Sequence, residues 1–174
     1  MKQLKIYLDT SVIGGSFDDT FKEYSIKLIK NIKNDNIIGV ISEITIRELE
    51  NAPDFVKKDF ESYKEKLEVI MVTAEIKELA EGYVKDKVVT EKYYEDALHI
   101  ACATVYQVDL LVSWNFKHIV NFNRIAQFNA GNVKNGYKSL QIFSSVVKWR
   151  PEKSPPFMYV MHQNRCSNRR VESW

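Results

Sequence analysis

Apolar and polar positions change period several times along this chain, and each change marks the end of one element. At residues 4–8, Leu4, Ile6 and Leu8 alternate with Lys5 and Tyr7, the period of a strand. Gly14-Gly15 breaks that pattern, and a turn is expected there. Over residues 18–34 the apolar Phe21, Ile26, Leu28, Ile29 and Ile32 make a helical stripe. Asp18 and Asp19 suit the positive end of that helix. Asn34-Asp35-Asn36 closes it, and residues 37–41 read as a second strand. Ser42 is expected to cap a short helix carrying Ile44, Thr45, Glu48 and Leu49, and Pro53 to open another helix reaching about residue 66.

Residues 67–72 form the third expected strand, with Thr73 capping a helix to about residue 87 whose inner face is Ile76, Leu79, Ala80, Tyr83 and Val84. Thr90 is expected to cap a long helix through residue 107. Its second half, ALHIACATV, is apolar all round and so belongs inside the protein. Residues 109–113 are a short apolar run suited to a central parallel strand. An Asn-rich helix over residues 121–134, closed by Gly136, leads to a fifth strand at 140–143, expected at an edge. Strands alternating with helices predict an α/β protein with a mostly parallel sheet of about five strands and helices on both faces. That regularity stops near Val147. Residues 148–174 hold three of the four prolines and lose any clear period, so residues 1–147 read as the domain and 148–174 as an appended tail.

Composition changes this picture little. The 174 residues, 45% apolar and 28% charged, are enough for one domain with a sizeable core. No apolar run approaches the roughly 18–20 residues needed to cross a bilayer. The first apolar run meets Asp9 too soon for a secretory leader, so a cytoplasmic location is expected. Cys102 and Cys166 cannot make a disulfide framework, and no CxxC or HxxxH spacing points to zinc. Charge matters once it is divided. The tail carries six Lys/Arg against two Glu, which leaves 19 basic and 21 acidic residues, a net of −2, for the other 147. A polyanion would have to be gripped locally or through bound metal rather than by the bulk field.

The candidate chemistry is acidic. Asp9 follows the first strand beside the hydroxyls of Thr10 and Ser11, Glu48 lies on a helix just after the second strand, and Asp96 opens the apolar DALHIACA. A carboxylate beside so much apolar surface needs compensation, and metal is one answer. Mg²⁺ or Mn²⁺ takes hard oxygen ligands, typically one or two carboxylates with water and phosphate, and such ions can clamp a phosphodiester for hydrolysis. Each acid alone also has an ordinary reading, as turn cap, solvated surface or exposed helical charge. Spacing does not choose Glu48 over Glu43 or Glu50.

Four ordered motifs, LDTSV, ISEITIRELE, YYEDALHIACA and LLVSWNFKHI, closely resemble the successive motifs of PIN-domain ribonucleases. They are most similar to the toxin-like proteins of the VapC kind, over residues 4 to about 145. The resemblance implies a Rossmann-like, three-layer PIN sandwich and Mg²⁺- or Mn²⁺-dependent cleavage of RNA. It also implies a small antitoxin protein as partner, and a homodimer. It places the family's first acid on Asp9, its second on Glu48, its third on Asp96, and the small hydroxyl on Thr10 or Ser11. The fourth position, commonly Asp, is Asn115 here, which offers amide chemistry without charge. That substitution keeps a second reading open: a catalytically weak or inactive PIN module that binds RNA or a protein. A third, an aspartyl-phosphate enzyme using Asp9, lacks the second Asp two residues on.

Other residues invite weaker readings. His99, one turn after Asp96, shares its helix face and suits a role orienting that carboxylate, or a place in the core. His118 beside Lys117 suits a phosphate, Trp114, Phe116 and Phe122 suit base stacking or the core, and the asparagines from Asn121 to Asn135 suit RNA hydrogen bonds or solvent. In the tail, Arg165, Arg169 and Arg170 suit phosphate contacts or solvent.

Overall fold

The computed structural model describes residues 3–144. Five strands, β1 (Lys5–Leu8), β2 (Ile38–Ser42), β3 (Leu67–Ile70), β4 (Leu110–Val112) and β5 (Ile142–Phe143), form one sheet in the order β3-β2-β1-β4-β5. Every pairing is parallel. Parallel neighbours need crossover connections, and helices supply them. α1 (Thr10–Gly14) and α2 (Lys22–Lys33) join β1 to β2, and α3 (Glu43–Leu49) and α4 (Asp54–Glu61) join β2 to β3. α5 (Ala74–Lys85) and α6 (Tyr94–Val105) return the chain to β4, and α7 (Phe122–Lys134) leads to β5. The expected α/β, three-layer architecture is the one observed.

Strand periodicity builds the layers. Tyr7 pairs with Val40 on one side and Leu111 on the other, and all three pack against α5, α6 and α7 through Ile76, Leu79, Tyr83, Ile100 and Phe128. Ile6 and Leu8 face the opposite way and meet Val12, Ile13, Leu28, Ile32, Val56 and Phe60 of α1, α2 and α4. The β1 alternation therefore hides both faces, and Tyr7 is fully buried although it falls on the Lys5 side of the pattern. In α6, residues 97–104 are all buried, as an all-round apolar helix requires.

Several local expectations are corrected. Gly14-Gly15 does not turn the chain: both residues are helical, and Gly15 opens a 3₁₀ turn, Gly15–Phe17. Close approach is what Gly15 provides, since a Cβ there would stand 2.5 Å from the Trp114 ring and 2.6 Å from Ser25 Oγ. The next helix begins at Lys22 rather than Asp18, because Asp18 makes a turn in which its carbonyl accepts from the Phe21 and Lys22 amides. Pro53 precedes α4 with extended ψ instead of starting it, and α4 ends at Glu61. Thr73 caps α5 by accepting from the Ile76 amide, as expected. Thr90 makes no side-chain cap, and the long helix is split into a 3₁₀ turn, Glu91–Tyr93, and α6.

Ser42 stands at the start of α3 but turns its hydroxyl to Tyr7 instead of capping. Asn132 is fully buried rather than solvated; it accepts from the Tyr83 hydroxyl and donates to Thr104 Oγ1 at 3.1 Å. Cys102 is buried in α6 as a small apolar residue would be. No described helix is long and apolar enough to cross a membrane. The boundary at residue 147, Cys166 and the tail arginines lie outside the described residues.

Candidate active site

From β1 the chain winds outward to β2 and β3, then returns to β4 and β5 on the other side. Such a reversal leaves a crevice beyond the carboxyl ends of the two strands where it occurs. Asp9 follows β1 there, and Ser113 follows β4.

Asp9 is 3% exposed and caps α1. Its Oδ1 accepts from Ser11 Oγ at 2.6 Å and the Val12 amide at 3.3 Å, and its Oδ2 accepts from Ser113 Oγ at 2.6 Å. Each serine hydroxyl also accepts from a backbone amide beyond β4: Ser11 from Trp114 at 2.8 Å, Ser113 from Asn115 at 2.9 Å. The two strand ends are thus tied together through one carboxylate. Burial pushes the Asp9 carboxyl above its ordinary range, against the pull of the His99 charge and these hydrogen bonds.

Glu48 reaches the same place from α3. Its Oε2 accepts from Thr10 Oγ1 and lies 3.2 Å from His99 Nε2. Burial alone would raise its pKa, but the hydrogen bond and charge of His99, with help from Thr10, outweigh it and hold the carboxyl low. Asp96, on the first turn of α6, accepts from Asn115 Nδ2 at 2.8 Å. Its carboxyl is pushed up to about 6, first by burial and then by the charges of Asp9 and Glu48, against those of His99 and Arg124. Asp96 therefore feels both of the other acids across the crevice.

His99 sits in their midst. It is 3% exposed, and burial, which disfavours its charged form, is outweighed by Glu48, Asp9 and Asp96, so its pKa is raised. As an imidazolium it donates from both nitrogens, through Nε2 to Glu48 and through Nδ1 to the Tyr7 hydroxyl at 2.7 Å. The Tyr7 proton then goes to Ser42 Oγ, also at 2.7 Å. This histidine orients Glu48, not the Asp96 of its own helix face.

A hard divalent cation keeps several waters and needs one or two carboxylates from the protein. The donor chemistry fits: carboxylates are at the site, and the charges of Asp9 and Glu48 act against the ionised form of Asp96. Among the described residues, however, no three His, Cys, Asp or Glu side chains stand close enough together to hold a metal as they are arranged. A carboxylate pair completed by water is the arrangement this crevice suits.

The remaining candidates separate clearly. Thr10 and Ser11 are both at the site, bonded to different acids. Asn115 both orients Asp96 and caps the following turn, its Oδ1 accepting from the His118 amide at 3.1 Å. Trp114 is core: it is buried, stacks on Phe21 and donates to Ser25. His118 stacks on Tyr93 at the rim, while Phe116 and Phe122 are exposed. Sequence reasoning missed Ser113 and Tyr7. Ser113 could have been found as the small hydroxyl ending β4 beside a β1 that also ends in hydroxyls. An open groove of about 510 Å³ lies beside the site, between α3 and α6, and holds none of the three acids.

Solved structures give an independent view of this fold. The VapBC2 complex from Rickettsia felis, bound to a DNA fragment from its promoter, matches with a TM-score of 0.53 at 16% identity. That match covers 81% of this chain and 98% of the other. A toxin–antitoxin complex from Klebsiella pneumoniae matches with a TM-score of 0.52 at 16% identity, covering 68% of this chain and 93% of that one. No protein-family model and no curated protein matches the sequence. The sheet order, the helical layers and these two matches agree on one description: this chain has a VapC-like PIN fold.

Proposed function

We propose that this protein is a divalent-metal-dependent endoribonuclease and the toxin of a toxin–antitoxin pair. The observation that carries the reading is the convergence of Asp9, Glu48 and Asp96 on one crevice at the reversal of the sheet. Mg²⁺ or Mn²⁺ held by a pair drawn from Asp9, Asp96 and Glu48, with water completing its shell, would supply Lewis-acid stabilisation of the phosphoryl charge and an acidified water. The protein's own part is positioning. Ser11, Ser113 and the Val12 amide fix Asp9, Asn115 fixes Asp96, and Thr10 with His99 fixes Glu48. His99, through its hydrogen bond and its charge when protonated, also holds the Glu48 carboxyl low against the effect of burial. The solved complexes with the same fold support a small antitoxin as partner, and a homodimer is part of the proposal.

The test is Mn²⁺-dependent cleavage of a single-stranded RNA by wild type, Asp9→Asn and Asp96→Asn. Cleavage is expected from wild type alone, with all three folded by circular dichroism; full activity in EDTA, or in both variants, defeats the reading. One arrangement favours a second reading, a PIN module that binds without cutting. The fourth acid is Asn115, its amide is spent on Asp96 and His118, and His99 already offsets part of the negative charge. Calorimetric titration with Mn²⁺ separates the two, since only the enzyme is expected to bind the ion in an Asp9-dependent way.

A further inference from the structure

Beside the acids lies a cluster of opposite sign. His118 stacks on Tyr93 with ring centroids 3.6 Å apart, Arg124 Nη1 lies 3.2 Å from His118 Nδ1, and Lys92 Nζ sits 5.6 Å from the Tyr93 ring centre. Lys117 adjoins His118 in sequence. Burial lowers the His118 pKa first, and the charges of Arg124, Lys117 and Lys92 then add to that, so all three charges are felt at this ring. None of the three makes an ion pair with a carboxylate among the described residues. The cluster is joined to the acids by one short path, from His118 to Asn115 to Asp96, and the Arg124 charge reaches Asp96 directly. On the same first turn of α7 as Arg124, Phe122 is 83% exposed.

We infer that Lys92, Lys117 and Arg124, mounted on the Tyr93–His118 stack, form a seat for backbone phosphates of a single-stranded polynucleotide, with the face of Phe122 open to a base. In a body whose residues before the tail sum to −2, this is local grip rather than bulk attraction. An arginine beside two lysines suits phosphate, and an exposed aromatic suits any base. The inference rests on the hydrolytic reading of the acids and names the substrate contacts of that same site.

Binding of a fluorescein-labelled twelve-residue oligouridylate, measured by anisotropy in EDTA, tests it without calling on cleavage. Saturable, salt-sensitive binding is expected from wild type. Lys92→Gln/Lys117→Gln/Arg124→Gln is expected to weaken it at least ten-fold and to lower the slope of log affinity against log salt by about 2, at roughly 0.7 per phosphate contact on a single strand. Lys92→Arg/Lys117→Arg/Arg124→Lys keeps the charge and is expected to keep the binding. Lys117→Glu alone, at an exposed side chain, carries the test if the triple variant does not fold. The seat is refuted by any of three results: no saturable binding by wild type, unchanged affinity and slope in the charge-removing variants, or equal competition by a poly-glutamate peptide, which would point to an acidic protein. Binding that persists where Mn²⁺-dependent cleavage fails keeps the seat and removes the hydrolysis. Cleavage with unchanged KM in the triple variant does the reverse.

Discussion

Asp96 and His99 give the crevice a pH signature that can be measured without substrate. Asp96 has a folded pKa of about 6 against an ordinary 3.8, so between those values the folded protein holds a proton that the unfolded chain has released. Stability therefore falls as pH rises through that window. His99 acts in the same direction: its pKa is raised, so its contribution is whole below the ordinary 6.5 and is lost as pH climbs through the folded value. Glu48 acts oppositely; its stabilisation is present above 4.5 and lost in acid. For the metal-free protein the urea midpoint should drop between pH 5 and 8. The Asp96 share of that drop is about 1 kcal/mol, since part of its window lies below pH 5 and the group is partly exposed. Asp96→Asn should flatten the drop, and Mn²⁺ at pH 8 should restore the midpoint in wild type only. An undiminished slope in the variant would mean that Asp96 is not strained by its neighbours.

At the scale of elements, the junction of α1 with the loop after β4 decides whether the crevice keeps its shape. Gly15 lets the Trp114 ring lie against the start of the 3₁₀ turn, and Trp114 in turn brings its amide to Ser11. Gly15→Ala should force that ring aside and cost about 1–3 kcal/mol, read by chemical denaturation together with a shift in tryptophan fluorescence. A neutral result would show that Trp114 can move freely, and the Ser11 contact would then be incidental. α7 offers the contrast. Its asparagines look interchangeable in sequence, yet Asn121 caps the helix and Asn132 is locked between Tyr83 and Thr104. Local composition cannot rank such residues, because what separates them is the neighbouring helix.

At the scale of the molecule, among the described residues both cores and the five-stranded sheet are assembled from residues up to Phe143. A chain ending at residue 147 should therefore fold by itself, with one cooperative transition and a midpoint close to that of the full protein. Loss of cooperativity on truncation would mean that residues 148–174 are part of the domain. The regular alternation of these elements explains why the α/β class was readable in advance. Strand and helix periods are local properties of apolar spacing, and parallel order follows from their alternation.

By itself the sequence determined the order and type of the elements, because hydrophobic period is written in neighbouring residues, and it placed a carboxylate after β1 and on α3 and α6. It did not determine which partners those carboxylates would have. Ser113 meets Asp9 across 104 positions, His99 meets Glu48 across 51, and Thr10 meets Glu48 across 38. Those distances in sequence close only when β1, β2 and β4 lie side by side, so tertiary packing alone brought the acids to one crevice, set His99 among them and turned Asn115 toward Asp96.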